Sequence, residues 1–314
     1  MKKILCLFFA AILSVGLTAC AQQQSAPRRV MLILQSWSSS FAEEVTRGAN
    51  AAANEYGLVL TVKNVPVPDA AKQQAELIQS ATEQGFDAVI VDPADTEIVG
   101  KAAGDAQKRG ASVISLGSGV QTGQTCTVDI DISQMATGTL LVAQGLVGPD
   151  ASVLILNCQD EHDNTQRLAD ALQTKLKEFP DIKCAQIDFH IGENMQMTDS
   201  FNQFTASGRG NFAVIALNAY ATVFAGNQLK IPHPGRKTAL ISFSHDKNAI
   251  SLLEQRRVDA ICMNRNMNVG FTAVEKANRA ADGEETVNEL IPSVFVNLQN
   301  LYSSEIQEIL FPLS

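Results

Sequence analysis

Seven short loops hold the side chains with which this chain could do chemistry, and each follows an apolar run of strand length. They read Gln35-Ser36-Trp37-Ser38-Ser39-Ser40-Phe41, Asp92-Pro93-Ala94-Asp95, Gly117-Ser118-Gly119, Asn157-Cys158-Gln159-Asp160-Glu161, Asn218-Ala219-Tyr220, Phe243-Ser244-His245 and Asn264-Arg265-Asn266. Planar amides and carboxylates satisfy adjacent hydroxyls of a polyhydroxylated molecule, while an aromatic face covers the apolar side of its ring. Trp37, the single tryptophan, sits in a serine-rich loop rather than an apolar stripe, which favours stacking on a ligand over a core or surface role. Phe41 is open to two readings, a ligand-facing ring or the first residue of a helix's apolar face. Asn218 and Asn264 each follow an apolar strand, where an amide either meets ligand or caps the next helix. Asp92 and Asp95 flank Pro93 in a turn; Asp92 is the expected ligand group, and Asp95 the cap of a helix beginning at Thr96.

Sharper chemistries fit less well. Ser244-His245-Asp246 contains the letters of a hydrolytic triad, but consecutive residues point their side chains apart and form no relay, so His245 is read as a possible ligand contact and no catalytic residue is expected. Asp160-Glu161-His162-Asp163 is read as a solvated acidic loop, because a cation site usually draws its ligands from several elements. Cys126, Cys158, Cys184 and Cys262 are widely spaced with no C-x-x-C, which argues against a metal site. Cys158 ends one predicted strand and Cys184 begins the next parallel one, so these two should not pair. A dinucleotide enzyme would need a glycine loop between the first strand and its helix; Ser36 to Ser40 contains none, and no Walker sequence occurs. No cofactor is expected.

These loops need a scaffold, and its pattern is regular. From Arg29 onward strand-length apolar runs alternate with helical patterns in a repeat of about 25 to 30 residues. The strand candidates are Val30 to Leu34, Val59 to Val62, Ala88 to Val91, Ser112 to Leu116, Val153 to Leu156, Ala185 to Phe189, Phe212 to Leu217, Ala239 to Ser242 and Asp259 to Met263. Continuous apolar strands indicate sheets buried on both faces. Phe41, Val45, Ala49, Ala52 and Tyr56 mark one face of the first helix, with Gly57 as its C-cap; Asp69 opens the second and Gly85 closes it. The expected class is α/β, two Rossmann-like doubly wound parallel-sheet lobes, with ligand at the carboxyl ends of the strands.

The N-terminal end bears on location. Lys2 and Lys3 precede an apolar run from Ile4 to Leu17, the form of a secretory signal. At roughly fourteen residues the run is short of the about 20 a spanning helix needs. Leu17-Thr18-Ala19-Cys20 looks like a bacterial lipobox, with Cys20 the lipidated residue and the Gln-rich stretch to Pro27 a tether. Loss of residues 1–20 takes the net charge from −9 to −11, which makes nucleic acid a poor partner. About 285 residues follow the tether, enough for two cores.

The chain resembles the type I periplasmic binding proteins, the group of ribose- and galactose-binding proteins, over nearly its whole mature length. Phe41, Arg47-Gly48-Ala49 and Tyr56-Gly57 look like that family's first helix, and Gln84 to Asp95 is similar to its G-x-D-A-I-I-x-x-P-x-D signature. Ala216-Leu217-Asn218, Ile241-Ser242-Phe243 and Ile261-Cys262-Met263-Asn264 fall where the family has its asparagine, its Gly-Phe-Asp and its hinge amide. Where many relatives carry Asp-Arg this chain has Gly117-Ser118, and where they carry Asp it has Ser244. Arg167 starts the helix where a sugar-binding arginine is often found, although Ala171-Leu172 replaces the usual Gly-Phe.

The resemblance implies an N-terminal lobe of 29–130 plus 265–290 and a C-terminal lobe of 131–264 plus 291–314, after a signal at 1–20 and a tether at 21–28. A three-crossing hinge near Asp131, Asn264 and Pro292 joins them. The expected ligand set is Trp37, Phe41, Asp92, Asp131, Arg167, Asn218, Ser244 and Asn264. The implied protein is a monomer that captures a sugar or sugar-like molecule for an ABC permease, exported to the periplasm or cell surface and held to a membrane only by lipid. A sensory partner such as a chemoreceptor or histidine kinase, or a nucleoside ligand, stays open as an alternative. A repressor-type regulator of the same fold would carry a DNA-binding headpiece where this chain carries a signal.

Overall fold

The structure, a computed structural model, describes residues 26–35, 40–66, 69–159, 165–207, 210–230 and 233–310. Twelve strands among them form two six-stranded sheets. The first contains β1 (Arg29–Gln35), β2 (Val59–Val65), β3 (Ala88–Val91), β4 (Ser112–Leu116), β5 (Cys126–Ile130) and, from much later in the chain, β11 (Glu289–Ile291), in the order β11-β5-β4-β3-β1-β2. The second contains β6 (Ser152–Cys158), β7 (Lys183–Phe189), β8 (Phe212–Ala216), β9 (Thr238–Ser242), β10 (Ala260–Met263) and β12 (Val294–Val296), in the order β12-β10-β9-β8-β6-β7. Every pairing is parallel except that of β12 with β10. The central strands β1, β3 and β8 are buried along both faces, which is why they read as unbroken apolar runs.

Helices cover both faces of each sheet, giving four apolar clusters, two per lobe. In the first lobe α1 (Ser40–Tyr56) and α9 (Asn266–Ala281) share a face, α2 (Ala70–Glu83) and α3 (Ile98–Lys108) the other. In the second, α4 (Ile132–Val147) and α5 (Thr165–Lys175) lie opposite α6 (Asn194–Ser207), α7 (Ala219–Gln228), α8 (Lys247–Glu254) and α10 (Ser304–Leu310). On the face of α1 marked out in the sequence, Val45, Ala49 and Ala52 are fully buried, while Tyr56 reaches solvent.

The α1–α9 pair is joined unusually closely. A Cβ at Gly48 would collide with the backbone of Met267, and one at Gly270 with the carbonyl of Val45. Glycine at both contacts lets the two backbones touch, and this fixes Glu44 on α1 beside Asn266 at the start of α9.

The chain passes between the sheets three times, from β5 to α4, from β10 to α9 and from β11 to β12. The first and third passages are tied together: Asp131 N donates to Ile291 O at 2.9 Å and Ser293 N to Gln134 Oε1 at 3.3 Å. Nine of the strands match apolar runs in the sequence. The other three, β5, β11 and β12, have no such run: β5 interleaves Thr127 and Asp129 with its apolar residues, and the last two are three-residue strands on either side of Pro292.

Candidate functional site

A cleft of about 730 Å³ opens between the lobes at the carboxyl ends of the strands, within the roughly 300–1,000 Å³ range of small-molecule sites. In the first lobe, parallel pairing of β1 with β3 places Gln35 beside Asp92, with Gln35 Nε2 3.4 Å from Asp92 Oδ2 and 3.3 Å from Pro93 O. Gln74 of α2, fully buried, donates to Asp92 O at 2.6 Å and accepts from Ala94 N at 2.8 Å, so a core amide fixes the loop that presents Asp92. Burial pushes the Asp92 carboxyl up to about 6; the Gln35 N–H groups oppose that rise, the Asp129 charge adds to it and Arg167 weakly offsets it.

Among the described residues, one arginine–carboxylate ion pair and one histidine–carboxylate contact cross the cleft. Arg167 on α5 donates through Nη2 to Asp129 Oδ2 on β5 at 2.7 Å, and its guanidinium lies against Gly117, whose φ of 64° lets the chain turn sharply after β4. His245, after β9, sits 3.1 Å through Nε2 from Glu44 Oε1, while Glu44 Oε2 accepts from Asn266 Nδ2 at 2.9 Å. Phe41 from one lobe and Phe243 from the other also line the cavity.

Of the residues expected from sequence, Phe41, Asp92, Arg167, Ser244 and Asn264 line this one cavity. The other two described residues of that set have their side chains on backbone groups. Asn218, 1% exposed, accepts from Ala221 N at 3.0 Å as the N-cap of α7 and donates to Cys158 O at 2.8 Å. Asp131 accepts from Gln134 N at 2.8 Å as the N-cap of α4. Neither is among the lining residues. Asp95 likewise caps, accepting from Glu97 N and Ile98 N. Trp37, Cys20 and residues 160–163 lie outside the described residues.

The three residues at 244–246 diverge: Asp246 caps α8 through Ala249 N, while His245 reaches Glu44 in the other lobe. Among the described residues Cys126, Cys184 and Cys262 are free thiols; Cys184 is exposed, whereas Cys158 is buried with Cys126 and Cys262. Among the described residues there is no metal-ligating cluster, and no helix is long and apolar enough to cross a membrane.

Glu44, Asp129 and Asn266 were missed as site residues. Glu44 carries a faint signal, one helical turn after Phe41 and so on the same side of α1. Asp129 carries none without β5.

A family model described as periplasmic binding protein domain matches residues 30–285. Several solved structures share the fold at low identity. A carbohydrate transporter solute-binding protein from Agrobacterium radiobacter, in complex with D-arabinose, superposes with a TM-score of 0.70 at 15% identity, covering 91% of this chain and 99% of that one. A periplasmic ribose ABC transporter protein from Conexibacter woesei gives 0.74 at 16%, with 90% and 95% covered. An ABC transporter solute-binding protein from Agrobacterium vitis with bound D-fucose gives 0.70 at 14%, with 89% and 98% covered. No curated protein matches the sequence.

Proposed function

Because the chain belongs to the periplasmic binding protein domain family, a family of exported solute-binding proteins and not of enzymes, we propose that it captures a small sugar or sugar-like molecule between its lobes and delivers it to an ABC permease. The observation that carries this reading is a single cleft lined from both lobes by two aromatic rings, Phe41 and Phe243, among carboxylates, amides and a guanidinium. Rings cover the apolar faces of a pyranose or furanose, and the polar groups meet its hydroxyls. The solved neighbours that hold D-arabinose and D-fucose lend support to the sugar class.

Closure about the three crossings would exclude water and strengthen these contacts. The domain division is proposed as 29–130 plus 265–290 and 131–264 plus 291–314. Lipidation of Cys20 anchors a monomer outside the cell. Thermal unfolding of the chain from Ser25 onward, with millimolar monosaccharides, polyols, nucleosides and amino acids, tests the function. Ligand at about 1,000 times its dissociation constant adds roughly 4 kcal/mol, a rise of several degrees. A shift confined to one sugar class supports the reading; a shift with amino acids or nucleosides alone replaces the sugar.

A further inference from the structure

The cleft contains three carboxylates from the first lobe, and two have partners. Asp129 is paired with Arg167, and Glu44 is shared between His245 and Asn266. Among the described residues Asp92 has no ion pair, and its hydrogen-bond donors are N–H groups of Gln35. A second acceptor is also open. Asn266 is 4% exposed and lines the same cavity; its Nδ2 is used on Glu44, and its Oδ1 is buried without a partner. The acids on the opposite wall are occupied, Asp246 by the α8 N-terminus and Glu254 by the Tyr302 hydroxyl.

From this arrangement we infer that the ligand is an aminated sugar or polyol, whose ammonium group seats against Asp92 while a second donor reaches Asn266 Oδ1. The inference rests on the cleft's being a sugar site. A neutral hydroxyl gives Asp92 a hydrogen bond but leaves its charge uncompensated in a closing, drying cleft, which is costly. An ammonium supplies the opposite charge and three donors, and charge-assisted bonds are roughly twice as strong as neutral ones. The chain's net charge of −9 favours the approach of a cation.

The experiment is calorimetric titration of the chain from Ser25 onward at pH 7 with matched pairs, D-glucose against D-glucosamine and D-galactose against D-galactosamine, repeated on Asp92→Asn and, for the unsubstituted protein, at pH 5. The expected result is at least tenfold tighter binding of an amino sugar than of its neutral partner. Asp92→Asn should abolish that preference. So should acid, because an Asp92 carboxyl that titrates near 6 is mostly neutral at pH 5; this arm needs no variant to fold. Neutral sugars binding as well as or better than amino sugars would overturn the inference and leave the sugar site standing. A preference that survives both Asp92→Asn and pH 5 would also overturn it. Silence from all four compounds and from neutral pentoses would overturn both.

Discussion

The N-terminal wall of the cleft presents the carboxylates Glu44, Asp92 and Asp129, whereas the C-terminal wall is mixed, with Arg167, His245 and Lys247 beside Asp246 and Glu254. The walls are held differently as well. The acidic wall rests on buried, rigid devices: the glycine-mediated contact of α1 with α9, and Gln74 under the Asp92 loop. The mixed wall projects from the loop after β9 and from the starts of α5 and α8, with Arg167 35% exposed. In the proposed capture, this contrast would divide the labour: the preorganised acidic floor would fix ligand geometry and the looser mixed wall would close over it.

Breaking the floor should have the largest effect. Gly270→Val would drive a branched side chain into the Val45 carbonyl and should cost about 3 kcal/mol or more in stability, measured by urea unfolding. Gln74→Ala leaves two backbone groups of the Asp92 loop unpaired and should cost about 2 kcal/mol. An unchanged unfolding midpoint for either would mean that the floor is not rigidly built.

Asp92→Asn sharpens the comparison by acting with the opposite sign. A carboxyl whose folded pKa of about 6 exceeds its ordinary value of 3.8 is destabilising wherever it is ionised. The ligand-free variant should therefore be more stable than the parent by about 2 kcal/mol above pH 6. The gain should shrink as pH falls from 6 to 4 and vanish below that, where both states are protonated. Melting curves from pH 4 to 8 check this, and a pH-independent difference would contradict it.

The smallest effect belongs to the closing wall. Glu44→Gln and His245→Ala, taken through a double-mutant cycle, should couple by about 0.5–1 kcal/mol, since the pair is partly solvated. A coupling of zero would mean that this pair does not latch the lobes.

The same contrast governs how much the sequence reveals. Strands buried on both faces announce themselves as apolar runs, so β1, β3 and β9 are legible, as are the loops that follow them and hence Phe41, Asp92 and Ser244. A polar residue after a strand is ambiguous, because the capping site and the ligand site lie at the same strand end. Asn218 and Asp131 took the cap; Asp92, whose loop backbone is already satisfied by Gln74, points into the cleft. Glu44 and Asp129 are defined by partners across the cleft, more than 30 residues away in sequence, and no local pattern encodes such a meeting.

The most direct test of capture between two lobes is calorimetric affinity for the sugar that gives the largest thermal shift, compared among the parent, Phe41→Ala and Phe243→Ala. Each ring comes from a different lobe. Loss of at least tenfold in affinity from both substitutions is the predicted result. An unchanged dissociation constant for either one would place the ligand on a single lobe and contradict the account.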